Sequence, residues 1–238
     1  MSEISDQTTS SDDNKNEKKL KFYHLSEDYW AKQPPTVNGM LGGFDYVSKA
    51  DIDQSQSFLG SFLNNKSVSK YHIGETKLAI DCGAGIGRIT KNLLLKNFDY
   101  VEMVDVTEGF ISEAKNYIGQ EDSKRIAKFH VCGLQNFYPE VSKYDCIWIQ
   151  WVLGYLTDSD LVDFLKRCKL ALKPNGICFI KENLSKDERE FDEEDSSYTR
   201  TKQEYVNIIH KAGMHLIKDE KQRNFPKELY EVRLFAFK

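Results

Sequence analysis

The sequence predicts an α/β fold in which a mostly parallel β-sheet carries helices on both of its faces. Two observations lead to this prediction. From residue 77 onward, apolar runs of strand length alternate with segments whose apolar residues recur at helical spacing. The first of these runs, at 78–80, leads into a glycine-rich turn at 81–88, and such a turn typically joins a strand of a parallel sheet to a helix.

The predicted strands and helices follow one another along the chain. Strands are expected near 77–82, 100–105, 127–132, 144–150 and 176–181. Helices fill the gaps; one is indicated by the helical spacing of Phe110, Ile111, Ala114, Tyr117 and Ile118. A capping box at 157–160 predicts the start of another helix, and Lys-Pro-Asn-Gly at 173–176 predicts a turn into the fifth strand. A helix from 201 to 212 and two strand-like runs near 214–219 and 229–237 predict a terminal antiparallel hairpin.

The N-terminal part of the chain differs in composition from the rest. Residues 1–19 contain only Met1 and Ile4 as apolar residues, so we predict a disordered tail over 1–21. Residues 22–238 are enough for a single well-buried domain. The first part of this domain, 22–63, is rich in aromatic residues and predicts two helical pieces around an irregular turn.

Composition argues against several classes of function. The formal net charge of −4 gives no electrostatic reason to bind nucleic acid. No run approaches the roughly 18 apolar residues of a membrane span, and the N-terminus has no apolar signal region. The five cysteines contain no C-x-x-C pair, so we expect free thiols and no metal site. We expect an intracellular monomer, located in the cytoplasm or the nucleus. The lysines at 18, 19 and 21 are compatible with a weak nuclear localisation signal or with a solvated basic run.

The turn at 81–88 carries three alternating glycines, Gly83, Gly85 and Gly87. Glycine is used where backbone turns tightly or approaches a ligand closely, which makes Gly83 and Gly85 candidate ligand contacts. The dinucleotide fingerprint G-x-G-x-x-G would need glycine at position 88, where this chain has Arg88. The spacing therefore suits a nucleoside without a pyrophosphate, and S-adenosylmethionine is the obvious candidate.

Residues at the ends of the next strands extend this predicted cofactor site. Asp105 ends the second strand about 20 residues after the turn, where an acid accepts hydrogen bonds from ribose hydroxyls. Capping of the following helix is the alternative for Asp105. Arg88 suits the methionine carboxylate of the cofactor, or an ion pair with a nearby surface acid. After the third strand, Gln135 suits the edge of the adenine and Leu134 its ring.

An acidic segment follows the fifth strand at the same edge of the predicted sheet. Residues 187–195 hold seven carboxylates in nine positions, which favours either a solvated loop or a site that attracts a cationic substrate. The aromatic residues Trp30, Trp151 and Tyr155 suit the walls of such a site. Plain core packing is the alternative for the two tryptophans.

Amine chemistry selects candidate catalytic residues within and beside this segment. An α-amine has a pKa near roughly 8 and a lysine side chain one near about 10.4, so the α-amine loses its proton more easily at pH 7. A nearby carboxylate binds the ammonium form and accepts its proton. Asp195 and Asp192 are the candidates for that role, and Asn183 can orient the amine through its carbonyl oxygen.

The chain resembles the α-N-terminal protein methyltransferases, which methylate the exposed α-amine of proteins that begin Xaa-Pro-Lys. The similarity runs from about residue 23 to the C-terminus. Six segments carry it: Tyr-Trp-Ala-Lys-Gln-Pro-Pro-Thr-Val-Asn-Gly-Met-Leu-Gly-Gly (29–43), Asp-Cys-Gly-Ala-Gly-Ile-Gly-Arg-Ile-Thr-Lys (81–91), Val-Asp-Val-Thr-Glu (104–108), Cys-Gly-Leu-Gln (132–135), Trp-Ile-Gln-Trp-Val (148–152) and Asp-Ser-Ser (195–197). A generic methyltransferase would match only the second and third.

This resemblance implies a Rossmann-like, seven-stranded class I S-adenosylmethionine-dependent methyltransferase with an N-terminal helical extension, 22–63, that forms a peptide channel. The product of the cofactor would be S-adenosyl-L-homocysteine. The implied cofactor contacts are Gly83, Arg88, Asp105, Val106, Thr107, Leu134, Gln135 and Gln150. The implied substrate contacts are Trp30, Trp151, Leu41 and Tyr230 around the first residue and the proline, Asp192 and Ser197 at the lysine, and Asn183 at the α-amine.

One position departs from the pattern of this family. Members commonly have a histidine where this chain has Tyr155, and that histidine is proposed to help remove the amine proton. A phenol with a pKa near roughly 10 is a poor base at pH 7, although it can orient a water or the amine. We therefore place the role of base on Asp195 alone.

Two other functions would use the same cofactor site. A methyltransferase of a small-molecule amine would need neither the 29–43 segment nor the acidic segment. A non-catalytic protein that only binds S-adenosylmethionine would lack the acceptor side, and here both Asn183 and Asp195 are present.

Overall fold

A computed structural model describes residues 6–63 and 77–238 of the chain. The described residues form nine strands: β1 (Leu78–Cys82), β2 (Tyr100–Asp105), β3 (Ile126–Val131), β4 (Tyr144–Gln150), β5 (Leu172–Ser185), β6 (Glu190–Asp192), β7 (Ser197–Thr201), β8 (Leu216–Lys221) and β9 (Glu231–Phe237). Five are parallel neighbours in the order β3-β2-β1-β4-β5, and β9 and then β8 continue the sheet in antiparallel pairing. The predicted α/β class, the seven-stranded sheet and the terminal antiparallel hairpin are confirmed.

The two remaining strands, β6 and β7, form an antiparallel hairpin beside the end of β5. Asp192 pairs with Ser197 across the hairpin, and Leu184 at the end of β5 pairs with Arg200 in β7. The ring of Phe191 lies 4.9 Å from that of Tyr198. The acidic segment is solvated, as its first alternative expects, because all residues of 187–195 except Arg189 and Asp195 are exposed; residues 190–192, however, are strand and not loop.

Helices cover both faces of the sheet. They are α1 (Asp6–Ala31), α2 (Val37–Met40), α3 (Ser48–Leu63), α4 (Arg88–Asn92), α5 (Glu108–Ile118), α6 (Gln120–Ser123), α7 (Asp158–Ala171) and α8 (Lys202–Lys211). Successive strand residues point to opposite faces, so Ile147 joins a core with Phe164 of α7, whereas Trp148 joins a second core with Phe58 of α3. Both cores lie beneath the carboxyl edge of the sheet and hold the site in place.

The first helix begins earlier than the composition suggests. α1 starts at Asp6, so the disordered tail expected over 1–21 is wrong for residues 6–21, and residues 1–5 lie outside the described residues. The segment 6–31 contains no proline or glycine and several lysine and glutamate residues, which have good helix propensity. The prediction of disorder weighed only its low apolar content.

Helix α1 is fixed to the domain through Asp160 in the first turn of α7. The carboxylate of Asp160 accepts hydrogen bonds from Nζ of Lys19 at 2.7 Å and from the hydroxyl of Tyr23. Thr157 caps α7 as predicted and accepts from the backbone N–H of Asp160. The reciprocal half of a capping box does not form, because the backbone N–H of Thr157 donates to the Tyr23 hydroxyl instead.

The described residues also bear on thiols, metals and membranes. All five cysteines are free in the structure, and all but Cys132 are buried. Across residues 6–63 and 77–238, no group of histidine, cysteine and acidic side chains is arranged to hold a metal ion. None of the described helices combines the length and the apolar character that a membrane crossing requires.

Candidate active site

Two adjoining cavities open at the carboxyl edge of the parallel strands. The first cavity lies over the ends of β1, β2 and β4 and is lined mainly by residues 83–85, 105–107, 132–135 and 150–152. The second cavity lies between the segment after α2, the end of β5 and the β6–β7 hairpin. Among the described residues, four side chains line both cavities: Trp30, Met40, Trp151 and Tyr155. Ligands of α/β sheets bind at this edge, where strand ends meet.

Gly83 and Gly85 form the turn between β1 and α4 at the wall of the first cavity. Their φ angles, +72° and +53°, lie in the left-handed region that favours glycine. A Cβ atom on Gly83 would lie 2.6 Å from Cβ of Val152, and one on Gly85 would lie 2.6 Å from Sδ of Met40. Both positions therefore require glycine for the backbone conformation and for close packing.

Asp105, at the end of β2, ties two parts of the first cavity together. Oδ2 accepts a hydrogen bond from the backbone N–H of Gly85 at 2.8 Å, and Oδ1 accepts one from the N–H of Thr107 at 2.9 Å. Burial raises the pKa of Asp105, against these hydrogen bonds. Thr107 occupies the N-cap position of α5, so the alternative that Asp105 caps this helix is wrong.

Arg88, in the first turn of α4, forms a buried ion pair at the wall of the first cavity. Its Nη1 donates to Oδ2 of Asp51 at 2.7 Å, and both side chains are buried. The guanidinium carbon lies 5.3 Å from the centre of the Trp151 ring. The alternative prediction, an ion pair between Arg88 and an acid, is thus confirmed. The acid is not on the surface, however: it is the buried Asp51 of α3.

The remaining residues proposed for the cofactor also border the first cavity. Leu134 is buried, in a 3₁₀ turn after β3, with Gln135 beside it. The amide of Gln150 is already engaged: its Oε1 accepts from Nε1 of Trp148 at 3.0 Å, and its Nε2 donates to Oδ1 of Asp51 at 2.9 Å. Val106 and Thr107 follow Asp105 along the wall.

The chemistry of this wall fits S-adenosylmethionine. Each oxygen of Asp105 keeps a second lone pair after its backbone bond and can accept from a ribose hydroxyl. Leu134 and Phe110 offer apolar surface for an adenine ring. Arg88 lines this cavity, and its guanidinium can bind a carboxylate of a ligand while it keeps its ion pair with Asp51.

The second cavity brings together the residues proposed for the acceptor. The hydroxyl of Tyr155 donates a hydrogen bond of 2.6 Å to Oδ2 of Asp195. The other oxygen of Asp195, Oδ1, is buried and has no hydrogen-bond partner among the described residues. Burial and the charge of Asp195 raise the pKa of Tyr155 well above its ordinary value, so the phenol stays protonated.

Trp30 and Trp151 form the aromatic wall between the two cavities. The ring centres of Trp30 and Tyr155 lie 5.8 Å apart in a T-shaped arrangement. Both indole nitrogens, Nε1 of Trp30 and of Trp151, are buried without a hydrogen-bond partner among the described residues. Trp151 has a φ of +54°, which is strained for a residue with a bulky side chain. The core-packing alternative is therefore wrong for both tryptophans, which face the cavities.

The other proposed substrate contacts lie around the same cavity: Leu41, Asn183, Asp192, Ser197 and Tyr230. Asn183 is in β5, and Asp192 and Ser197 face each other across the β6–β7 hairpin. The hydroxyl of Tyr230 donates to Glu190 at 2.6 Å. All the residues proposed from the sequence thus lie at one of the two cavities.

Several residues at the site were not singled out from the sequence. Glu182 lines the second cavity, and its Oε1 accepts from the N–H groups of Val152 and Leu153 at 2.8 Å. Burial raises the pKa of Glu182 to about 7, against these hydrogen bonds. Asp81 lines the first cavity, and burial raises its pKa to about 6 despite a hydrogen bond from Thr90. In the sequence, Glu182 and Asp81 are each an acid within an apolar strand, and this pattern could have identified them.

Comparisons with known proteins agree with this arrangement. The family described as AdoMet-dependent proline di-methyltransferase matches residues 18–238. The N-terminal Xaa-Pro-Lys N-methyltransferase 1-B of Xenopus laevis is 49% identical over 222 residues, which cover 93% of this chain and 97% of the relative. The human N-terminal Xaa-Pro-Lys N-methyltransferase 1 is 48% identical over 225 residues, with the same two coverages.

A solved structure shares the fold. It is a SAM-dependent methyltransferase from Leishmania major, with a TM-score of 0.83 and 37% sequence identity. The match covers 91% of this chain and 83% of the other. Both cavities lie inside the range that the family matches, from residue 18 to residue 238.

Proposed function

The chain belongs to the family of AdoMet-dependent proline di-methyltransferases, and on this premise we propose that it methylates the free α-amine of proteins that begin Xaa-Pro-Lys once the initiator methionine is removed. It is an S-adenosylmethionine-dependent methyltransferase, as the motifs predicted. The relatives named for Xaa-Pro-Lys N-termini cover nearly the whole chain and support the proposed substrate.

The observation that carries this proposal is the unpartnered Oδ1 atom of Asp195. A buried carboxylate oxygen without a donor is costly, so a donor brought by a ligand would stabilise it. An ammonium group supplies such donors together with a compensating charge. Tyr155 holds the other carboxylate oxygen and so orients Oδ1.

The walls of the second cavity suit the first three residues of such a peptide. We assign Trp30, Trp151, Leu41 and Tyr230 to the first residue and the proline, which need apolar surface. We assign Asp192 and Ser197 to the lysine, because a carboxylate and a hydroxyl accept from an ammonium group. Asn183 would orient the α-amine through its carbonyl oxygen.

The first cavity would hold the cofactor. S-adenosylmethionine, when bound, supplies an electrophilic methyl group on its sulfonium sulfur. Asp105 would accept from the ribose hydroxyls, Arg88 would bind the carboxylate, and Leu134 and Gln135 would contact the adenine. Gly83, Gly85, Val106, Thr107 and Gln150 would complete the wall.

The residues of the second cavity would manage the proton of the amine. Methyl transfer requires a free lone pair on nitrogen, and an α-amine with a pKa near roughly 8 gives up its proton readily to a nearby carboxylate. Asp195 would accept this proton, directly or through a water. Tyr155 stays protonated, so it orients Asp195 and does not act as the base. The remaining acceleration comes from positioning of the two reactants.

A pair of peptides tests the proposal. We expect methyl transfer from S-adenosylmethionine to a peptide that begins Ser-Pro-Lys and none to the same peptide with an acetylated N-terminus. Mass spectrometry of the first residue locates the methyl group and counts successive transfers. Equal labelling of both peptides, or of neither, would contradict an α-amine substrate.

The organisation and the location of the protein are also proposals. We propose a monomer with a single methyltransferase domain over 22–238, whose extension at 22–63 forms the peptide channel, and a cytoplasmic or nuclear location. In support, one chain supplies the walls of both cavities, and its thiols are free. Sedimentation of the purified protein tests the monomer, and fractionation of cells tests the location.

A further inference from the structure

We propose that Asp51, in helix α3 of the N-terminal extension, is a positioning residue that holds Arg88 toward the carboxylate end of the bound cofactor. Asp51 does not line either cavity. It acts through Arg88, which does line the first cavity. The inference depends on the cofactor and not on which amine is methylated.

The geometry around Asp51 is that of a buried network, and two of its members, Arg88 and Gln150, line the first cavity. Its Oδ2 accepts from Nη1 of Arg88 at 2.7 Å, and its Oδ1 accepts from Gln150 at 2.9 Å. Lys181 forms an ion pair with Oδ1 and donates to Oγ of Ser55 at 2.9 Å. Gln150 and Lys181 are paired neighbours on β4 and β5, so both sit beneath the same carboxylate.

The charges around Asp51 explain why a carboxylate is needed at this position. Asp51 and Lys181 are fully buried, and Arg88 is nearly so. Although burial raises the pKa of Asp51, Lys181 and Arg88 outweigh that effect and hold it below the ordinary value, so the carboxylate stays ionised. Burial lowers the pKa of Lys181, so without Asp51 this amine would lose its proton more easily, and Arg88 would lose the ion pair that holds it.

The network also links the two cavities to the extension. Arg88 lies over the ring of Trp151, which lines both cavities. α3 follows directly on the segment that contributes Met40 and Leu41 to the cavity walls. The carboxylate of Asp51 therefore fixes α3 to the domain. In this way it holds both Arg88 at the first cavity and the segment with Met40 and Leu41 at the second.

Isothermal titration with two ligands tests the proposal. S-adenosylhomocysteine carries the carboxylate, whereas 5′-methylthioadenosine has the same adenosine and a thioether without the amino-acid group. We expect Asp51→Asn to weaken binding of S-adenosylhomocysteine by about 10- to 100-fold, the range for loss of one charged hydrogen bond, and to leave 5′-methylthioadenosine within about twofold. An equal loss for both ligands, or no loss for either, would overturn the proposal.

Two further variants separate positioning from folding. Asp53→Asn, on the same helix but exposed and paired with Lys49, is the matched control and should bind both ligands as the wild type does. The double variant Asp51→Asn/Lys181→Met removes one buried charge of each sign and keeps the charge of Arg88; we expect the same selective loss. If circular dichroism shows that neither Asp51 variant folds, the network is only structural and the proposal is wrong.

Discussion

The hydroxyl of Tyr155 donates a 2.6 Å hydrogen bond to Oδ2 of Asp195, and this contact gives the two carboxylate oxygens different roles. Oδ2 is engaged by a phenol that stays protonated, while Oδ1 is buried without a partner among the described residues. A carboxylate held in this way presents one oxygen to a ligand in a fixed direction. Tyr155 thus positions the carboxylate that we propose as the base.

Replacement of Asp195 by asparagine tests the base. The amide keeps the size of the side chain and a carbonyl oxygen for Tyr155, but it cannot accept a proton at neutral pH. We expect kcat to fall by about 100- to 10,000-fold, the usual contribution of a general base, with the affinity for S-adenosylhomocysteine unchanged. Steady-state kinetics measures kcat, and titration calorimetry measures the affinity for S-adenosylhomocysteine. Turnover like that of the wild type would remove Asp195 from this role.

Replacement of Tyr155 by phenylalanine tests the orienting bond. Loss of a hydrogen bond to a charged group costs about 1.5–3 kcal/mol, so we expect kcat to fall by about tenfold or more, without a change in cofactor affinity. Tyr29→Phe, which removes a hydroxyl from the same cavity, is the matched control and should leave kcat unchanged. If both variants behave alike, the contact with Asp195 has no special role in turnover.

The two glycines of the turn are expected to differ in their tolerance of alanine. Both have a left-handed backbone, but the Cβ of Gly83→Ala would meet the branched carbon of Val152, whereas that of Gly85→Ala would meet the mobile end of Met40. We expect Gly83→Ala to lower the free energy of unfolding by about 2–4 kcal/mol and Gly85→Ala by about 1–2 kcal/mol. Urea denaturation measures both, and the reverse order would contradict this packing argument.

Glu182 makes the stability depend on pH. Its pKa is about 7 in the fold, above the ordinary value of a glutamate, so the folded state holds the proton more tightly than the unfolded state does. Its contribution is therefore most favourable below the unfolded pKa and is lost as the pH rises through 7. In Glu182→Gln the amide oxygen can still accept from Val152 and Leu153 without ionising.

The Glu182→Gln variant should therefore gain stability relative to the wild type as the pH rises from 5 to 8. The expected gain is about 2–3 kcal/mol, from the difference between the two pKa values. Urea unfolding at several pH values measures it. A constant difference between the two proteins across this range would show that Glu182 is not the titrating group.

Asp192 is expected to recognise the third residue of the substrate. It is exposed on the hairpin, so its pairing with a lysine is worth less than about 1 kcal/mol, and we expect Asp192→Asn to raise KM for a Ser-Pro-Lys peptide by about two- to fivefold. A Ser-Pro-Gln peptide should show no such change. Glu188→Gln removes the same charge from the acidic segment without touching the cavity, and an equal rise in KM there would indicate only a general field.

The fold follows from local signals, which is why it could be predicted. The glycine turn and the apolar strand runs are local patterns, and β1, β2 and β4 lie within a residue of their expected bounds. The β6–β7 hairpin carries no clear pattern, because its strands have only three and five residues. It forms by pairing with the end of β5, a contact that depends on the folded chain.

The residues of the site also differ in whether the sequence alone can reveal them. The residues at strand ends, such as Asp105 and Gln135, could be found because the carboxyl edge of a parallel sheet is a general location for ligands. Asp51 could not be found, because an acid on a helix is common and only the fold brings it to Arg88. Lys181 does carry a signal in the sequence, because a lysine inside an apolar strand needs a buried partner.

The placement of the tryptophans gives the protein an optical reporter of its own. The chain has three tryptophans. Trp148 is fully buried and lines neither cavity, and its indole N–H donates to Gln150. Trp30 and Trp151 stand between the two cavities, and their indole N–H groups have no hydrogen-bond partner in the part of the chain that the structure describes. Arrival of either reactant changes the polarity around them, and their fluorescence follows occupancy of the site without any added label.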